Sequence, residues 1–210
     1  MANIPFITIE GPIGIGKTSL AKKLSSHYNF HLLKEIVEEN PFLDKFYENM
    51  EAWSFQTEMF FLCNRFKQLD DIKQQYLSMG KPVMADYHIF KNMIFAQRTL
   101  SSDKMIKFEK IYEILTEDMP MPNMIIYLHA SIDTMMNRIK RRGRTIEKNI
   151  QASYLEQLSS DYEDYINYLE RSHPDLSIIR IDGDIMDFVQ YQSDLEGIIQ
   201  MVDEQLRKLA

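Results

Sequence analysis

Residues 6–18 read Phe6-Ile7-Thr8-Ile9-Glu10-Gly11-Pro12-Ile13-Gly14-Ile15-Gly16-Lys17-Thr18. The first five are a short aliphatic and β-branched run, the pattern of a strand buried on both faces. A glycine-rich turn follows and leads into the helical run Ser19-Leu20-Ala21-Lys22-Lys23-Leu24. The turn Gly11, Pro12, Ile13, Gly14, Ile15, Gly16, Lys17, Thr18 fits G-x-x-x-x-G-K-[ST], and the strand before it and helix after it supply the context the motif requires. Its chemistry needs these residue types. Glycines let backbone N–H groups converge on phosphate oxygens, and the helix amino end adds positive potential. Lys17 reaches the outer phosphates, and Thr18 is placed to ligate magnesium. A chance glycine turn is the bland alternative.

Working outward, four more strand-like runs alternate with helical patterns: His31 to Ile36, Pro82 to Ala85, Met124 to His129 and Ser177 to Ile181. Five strands alternating with helices define an α/β class with a five-stranded parallel sheet flanked by helices. Ligands of such sheets bind beyond the carboxyl ends of the strands, so Gly11, Glu35, Asp86, Ala130 and Asp182 gain weight. The stretch from Phe42 to Tyr76 predicts one or two long helices, and Ser102 to Glu117 a helical hairpin. Further helices are expected over Ile132 to Arg141, Ile150 to Glu170 and Ser193 to Leu209. The fourteen methionines scatter along the helices as adaptable core filler.

With 210 residues, 45% of them hydrophobic, one domain over residues 1–210 is expected. A net charge of -7 argues against nucleic acid or a membrane surface as partner, and makes any basic cluster locally meaningful. The one cysteine, Cys63, cannot form an intrachain disulfide and lies in an apolar run, where a buried small hydrophobe is expected. No run of apolar residues is long enough to span a membrane, and a cleaved leader would have to remove the loop at Gly11. A cytoplasmic protein is the expectation.

A phosphate loop does not name the acceptor. There is no Asn-Lys-x-Asp segment of the kind that reads guanine in GTPase switches. A small-molecule kinase needs a carboxylate for the acceptor hydroxyl, an acceptor pocket and cations over the transferring phosphoryl. The chain offers a candidate for each.

The segments Glu35-Ile36-Val37-Glu38-Glu39-Asn40-Pro41, Trp53-Ser54-Phe55-Gln56-Thr57-Glu58, Arg65 and Arg142-Gly143-Arg144, in this order around the loop, resemble the deoxynucleoside kinase family. The wording of Trp53 to Arg65 and of Ala85-Asp86-Tyr87-His88 resembles most the deoxyguanosine-using branch found in Gram-positive bacteria. The resemblance implies a P-loop kinase fold with an arginine-rich lid over residues 138–150, ATP as phosphoryl donor with Mg2+, and a homodimer. It also implies that Glu35 is the general base for the sugar 5′-hydroxyl. Tyr47 would contact the 3′-hydroxyl, with Glu147 reaching it from the lid. Asn92 falls where relatives keep an acid that helps choose the base. Asp182 to Phe188 resembles the loop that holds the adenine of ATP, with Asp187 and Phe188 as its candidates.

Glu58 and Arg65 lie seven apart, and Tyr47 eleven before Glu58, near one angular stripe of a helix, so all three can face one ligand. The family commonly has glutamine at Glu58. An ionised carboxylate offers two acceptors and no donor, which suits the adjacent N1–H and N2–H₂ of guanine, while Arg65 could donate to O6 and N7. Asp86 ends its strand where a carboxylate holds the magnesium shell. The family has arginine and serine after this acid, where this chain has Tyr87 and His88, so that arginine's role is lost or supplied from elsewhere. Arg138 to Arg144 packs five cations and no acid. Arg138 and Arg142 share a helix face, and Gly143 permits a turn that aims Arg144 at the phosphates. Glu38 and Glu39 read as solvated. The expected function is ATP-dependent phosphorylation of a purine deoxynucleoside, deoxyguanosine first. Deoxyadenosine or a broader range is the alternative, and a nucleotide-binding regulatory module is the reading from a different class.

Overall fold

A computed structural model of the chain describes residues 4–37 and 39–209; Glu38 lies outside them. The five strands are β1 (Phe6–Glu10), β2 (His31–Leu33), β3 (Val83–Ala85), β4 (Met124–His129) and β5 (Ser177–Asp182). They form one parallel sheet in the order β2-β3-β1-β4-β5, with Thr8 facing Ala85 on one side and Ile125 on the other. β1 is therefore central, and the glycine loop that follows it emerges mid-sheet at the carboxyl edge.

Period-2 alternation sends strand side chains into two packing clusters. Phe6, Val83 and Ala85 pack with Leu62 and Leu69 of α3 (Met50–Gln75) and Phe108 of α5 (Ser102–Thr116). Ile7, Ile9 and Met84 join a larger cluster with Leu20 and Leu24 of the first helix, α1 (Lys17–Tyr28). Leu62 and Leu69 are fully buried, so truncating either to alanine costs about 2–5 kcal/mol.

The region from Phe42 to Tyr76 holds two helices, α2 (Leu43–Glu48) and α3. Asn49 breaks them apart at φ -149, and its side chain caps α3 by accepting from Ala52 N at 3.1 Å. Ser102 to Glu117 forms one helix, α5, where a hairpin was expected. A helix that the sequence reading does not name, α4 (Lys91–Thr99), precedes it. The remaining helices are α6 (Ile132–Arg142), α7 (Ala152–Ser172) and α8 (Gln192–Leu209). Ser131 caps α6, and Gly143, at φ 70, ends it in the left-handed turn expected of that glycine. Cys63 is exposed, contrary to expectation, because its position on α3 faces away from the Leu62 and Leu69 stripe. Glu39 is exposed as expected. Among the described residues, no helix is long and apolar enough to cross a membrane.

Candidate active site

The glycine loop is shaped by its neighbours. Gly14 adopts φ 84, and a Cβ there would lie 2.6 Å from Ile139 Cγ1 and 2.9 Å from the Met135 carbonyl oxygen, so α6 packs directly on the loop. Lys17 opens α1, and its ammonium donates to the carbonyls of Gly11 at 2.8 Å and Pro12 at 2.7 Å, which holds it curled under the turn. Thr18 Oγ1 donates to Asp86 Oδ2 at 2.5 Å, and Asp86 Oδ1 accepts from Glu35 N at 2.7 Å. Asp86 thus ties the start of α1 to the segment beyond β2. Among the described residues, no group of three or more His, Cys, Asp or Glu could hold a metal. One hydroxyl beside one carboxylate is the donor set of an ion that completes its shell with water and phosphate oxygens, as magnesium does. The residues fit that ion.

Behind the loop lies a buried cluster of charges. Glu35 stands two residues past β2, because its N–H is committed to Asp86 and not to the ladder. Its carboxylate accepts from Lys91 Nζ at 3.0 Å on Oε1 and 2.9 Å on Oε2. Arg65 donates to the same Oε1 through Nε at 3.1 Å and also through Nη2. Burial alone would raise the Glu35 pKa, but the two cations outweigh it and hold the group at about 2. Glu10, fully buried at the end of β1, accepts from His88 N through Oε1, and its Oε2 has no partner among the described residues. Burial pushes this carboxyl up to about 8, against the pull of Lys91 and Lys17. Glu58, 2% exposed, is raised by burial to about 7, against the pull of Arg65 and Lys91.

Glu35, Glu58, Arg65 and Lys91 line a cavity of about 640 Å³, a size suited to a small-molecule ligand, while Glu10 lies outside its lining. Around it stand Lys17, Thr18, Glu35 and Asp86 from the phosphate side, and Tyr47, Glu58 and Arg65 from α2 and α3. Arg142, Arg144 and Glu147 close it from the segment after β4. Tyr47 belongs to α2 and not to the helix of Glu58, so it reaches the cavity through the fold and not along one helical stripe. Arg142 donates to Glu147 through Nε at 3.0 Å and Nη2 at 2.5 Å, and Arg144 lies 3.6 Å from the same carboxylate.

Other expected residues sit apart from this cavity. Arg138 donates to the carbonyls of Ile15 at 3.0 Å and Gly183 at 2.8 Å, so it braces the loop. It lines a second cavity of about 260 Å³ with Gly16, Asp187 and Phe188. Phe188 is 2% exposed and packs on Gly16, while the Asp187 carboxylate accepts from the N–H groups of Val189 and Gln190, so both side chains build that wall from within. Asn92 is fully buried beneath Glu58, its Nδ2 donating to the Glu58 carbonyl at 3.4 Å. Tyr87 is buried and donates to Gln68. Lys91, four residues beyond Tyr87, sets a cation on Glu35 from the first turn of α4. Lys91 and Glu10 were not anticipated. A carboxylate inside an apolar strand directly before the loop was the available signal for Glu10; Lys91 left none in its local pattern.

A phosphate loop at the carboxyl edge of a five-stranded parallel sheet, facing a buried acid and an acceptor-sized cavity, defines a P-loop phosphotransferase. The chain belongs to the deoxynucleoside kinase family, whose sequence profile matches residues 7–207. It is therefore an enzyme, and the regulatory-module alternative falls away. It is 55% identical over 204 residues to the deoxyguanosine kinase of Bacillus subtilis (strain 168), covering 97% of this chain and 99% of that one. It is 28% identical to the deoxyadenosine/deoxycytidine kinase of the same organism, covering 93% and 90%. The fold is shared with a deoxyadenosine kinase from M. mycoides solved with dCMP and dCDP bound, at TM-score 0.81 and 23% identity, covering 95% of this chain and 99% of that one.

Proposed function

We infer that the chain transfers the γ-phosphoryl group of ATP to the 5′-hydroxyl of a purine deoxynucleoside, with deoxyguanosine the preferred acceptor. The observation that carries the reading is a buried acceptor and a buried donor, each without a partner among the described residues, on two residues of the cavity wall. Glu58 Oε2 and Arg65 Nη1 are both buried and both without a partner among the described residues. Unpaired buried polar groups are costly, so an acceptor and a donor left open in one wall point to a ligand that supplies the complement. The Watson–Crick edge of guanine does so: N1–H and N2–H₂ donate to the Glu58 carboxylate, and O6 accepts from Arg65.

Glu35 stands between that wall and the loop, where the sugar hydroxyl would meet the phosphoryl. The hydroxyl oxygen forms a bond to the γ-phosphorus, the bond from phosphorus to the bridging oxygen breaks with its electron pair leaving on ADP, and the hydroxyl proton passes to Glu35. A carboxylate held at a pKa of about 2 is a weak proton acceptor, so it chiefly orients the hydroxyl and takes the proton late, as a loose transition state permits. Lys17, Arg142 and Arg144 supply positive charge around the phosphates, and Arg138 braces the loop. Thr18 and Asp86 would hold magnesium, whose chemistry is to neutralise the phosphate oxygens. We assign Tyr47 and Glu147, both in the cavity wall, to the 3′-hydroxyl on the family's account. We assign residues 138–150 as a lid on a single catalytic domain, and the assembly as a cytoplasmic homodimer, on the family's account.

The test is phosphate transfer from ATP with magnesium to deoxyguanosine, deoxyadenosine, deoxycytidine, deoxyinosine and thymidine. Deoxyguanosine should lead, and Glu35→Gln should lower kcat by about 10²–10⁴-fold while ATP binding persists. A pyrimidine in the lead, or an unaffected Glu35→Gln rate, would overturn the assignment of the pocket or of the base respectively.

A further inference from the structure

We propose that Glu58 makes the base preference of this site depend on pH: ionised, its carboxylate selects guanine; protonated, the same carboxyl admits deoxyadenosine and deoxycytidine. This rests on the assignment of Glu58 to the base pocket above.

Guanine turns two adjacent donors, N1–H and N2–H₂, toward a partner that must only accept. Adenine presents an amino donor at N6 beside an acceptor at N1, and cytosine presents the same pair at N4 and N3. A carboxylate is acceptor-only, whereas a protonated carboxyl has one O–H donor and one carbonyl acceptor, the same complement as a glutamine amide. One proton therefore converts the Glu58 edge from a partner of guanine into a partner of adenine and cytosine without moving a heavy atom.

The geometry leaves Glu58 free to make that change. Its side chain is buried in the cavity wall, and Oε2 has no partner among the described residues, so exchanging an acceptor for a donor there breaks no protein hydrogen bond. The charged and titratable groups that face it are Arg65 on its own helix, Lys91 on α4, Glu35 beyond β2, Tyr47 on α2 and Tyr154 on α7. Burial and Glu35 favour the protonated form, while Arg65 and Lys91 favour the ionised one. The opposing influences place the carboxyl at about 7, where both forms are populated near neutrality.

The experiment measures kcat/KM for deoxyguanosine and for deoxyadenosine across about pH 6 to pH 8 with ATP and magnesium. If a single proton on Glu58 decides, the ratio of the two rises about tenfold per pH unit over the whole range, because it follows the ratio of ionised to protonated carboxyl. Effects of pH on the phosphoryl step are common to both substrates and cancel. Glu58→Gln carries a fixed donor and acceptor, so its ratio should be flat and should favour deoxyadenosine. A flat ratio in the native enzyme, or an equal slope in Glu58→Gln, overturns the proposal while leaving the kinase assignment intact. Failure to phosphorylate any deoxynucleoside would instead overturn that assignment. A second measurement needs no variant: calorimetry of deoxyguanosine binding at about pH 6, in buffers of different ionisation enthalpy, should detect proton release approaching one per site. No release overturns the inference.

Discussion

Lys91 holds both carboxylate oxygens of Glu35, at 3.0 Å and 2.9 Å, although the two residues are 56 apart in the chain. Both side chains are nearly sealed from solvent, so each is the other's main compensation for lost water. Replacing Lys91 with methionine leaves Glu35 leaning on Arg65 alone, with one carboxylate oxygen unpaired. Steady-state kinetics should show kcat for deoxyguanosine falling about a hundredfold while the KM for ATP changes little, and Lys91→Arg should restore much of the loss. A Lys91→Met enzyme with native kcat would mean that Arg65 suffices to align the acid.

Gly14 is the loop position that α6 presses on most directly. A methyl group there would stand 2.6 Å from Ile139 Cγ1 and 2.9 Å from the Met135 carbonyl, at φ 84, where side chains are strained in any case. Ile139 can shift, but the Met135 carbonyl belongs to the α6 backbone and cannot without disturbing the helix. Gly14→Ala should lower stability by about 1–3 kcal/mol in thermal or denaturant unfolding and weaken ATP binding by equilibrium titration. Unaltered affinity would show that the loop can part from α6 at no cost to nucleotide binding.

Stability carries a separate trace of Glu58. Its carboxyl lies near 4.5 when unperturbed and is raised to about 7 by burial in the folded protein. Between those values the native state binds a proton that the unfolded chain does not, so the stabilisation is complete below the lower value and is lost as pH rises through the upper one. The difference in unfolding free energy between the native chain and Glu58→Gln should therefore move against the native chain as pH rises across that window, by up to roughly 3 kcal/mol. Parallel stability curves for the two proteins would place the Glu58 pKa outside the window.

What was readable in the sequence follows from how local each signal is. The glycine loop, its strand and its helix occupy consecutive residues, and the both-faces-buried runs of β1 and β4 announce a parallel sheet unaided. Glu35, Glu58, Arg65 and Asp86 were found, and the fold brings them to one cavity. The stripe joining Tyr47 to Glu58 reached the right cavity for an incomplete reason, since propensity continues through Asn49 while its side chain ends one helix and caps the next. α4 escaped notice because its N-cap, Phe90, makes no side-chain capping bond and the helix is nine residues long. With it went Lys91, whose importance lies wholly in a long-range partner. Phe188 came to notice through the resemblance of its loop alone, and that its ring is seated on Gly16 is a contact between distant residues with no local signal.

Arg138 joins the Ile15 carbonyl of the phosphate loop to the Gly183 carbonyl beyond β5. One guanidinium therefore fixes the distance between two walls that come from opposite halves of the chain, and it does so from α6, the helix that also carries Arg142. The floor of the site and the helix that carries its covering arginine are parts of one brace, and Arg142 extends that brace past the end of the helix by holding Glu147.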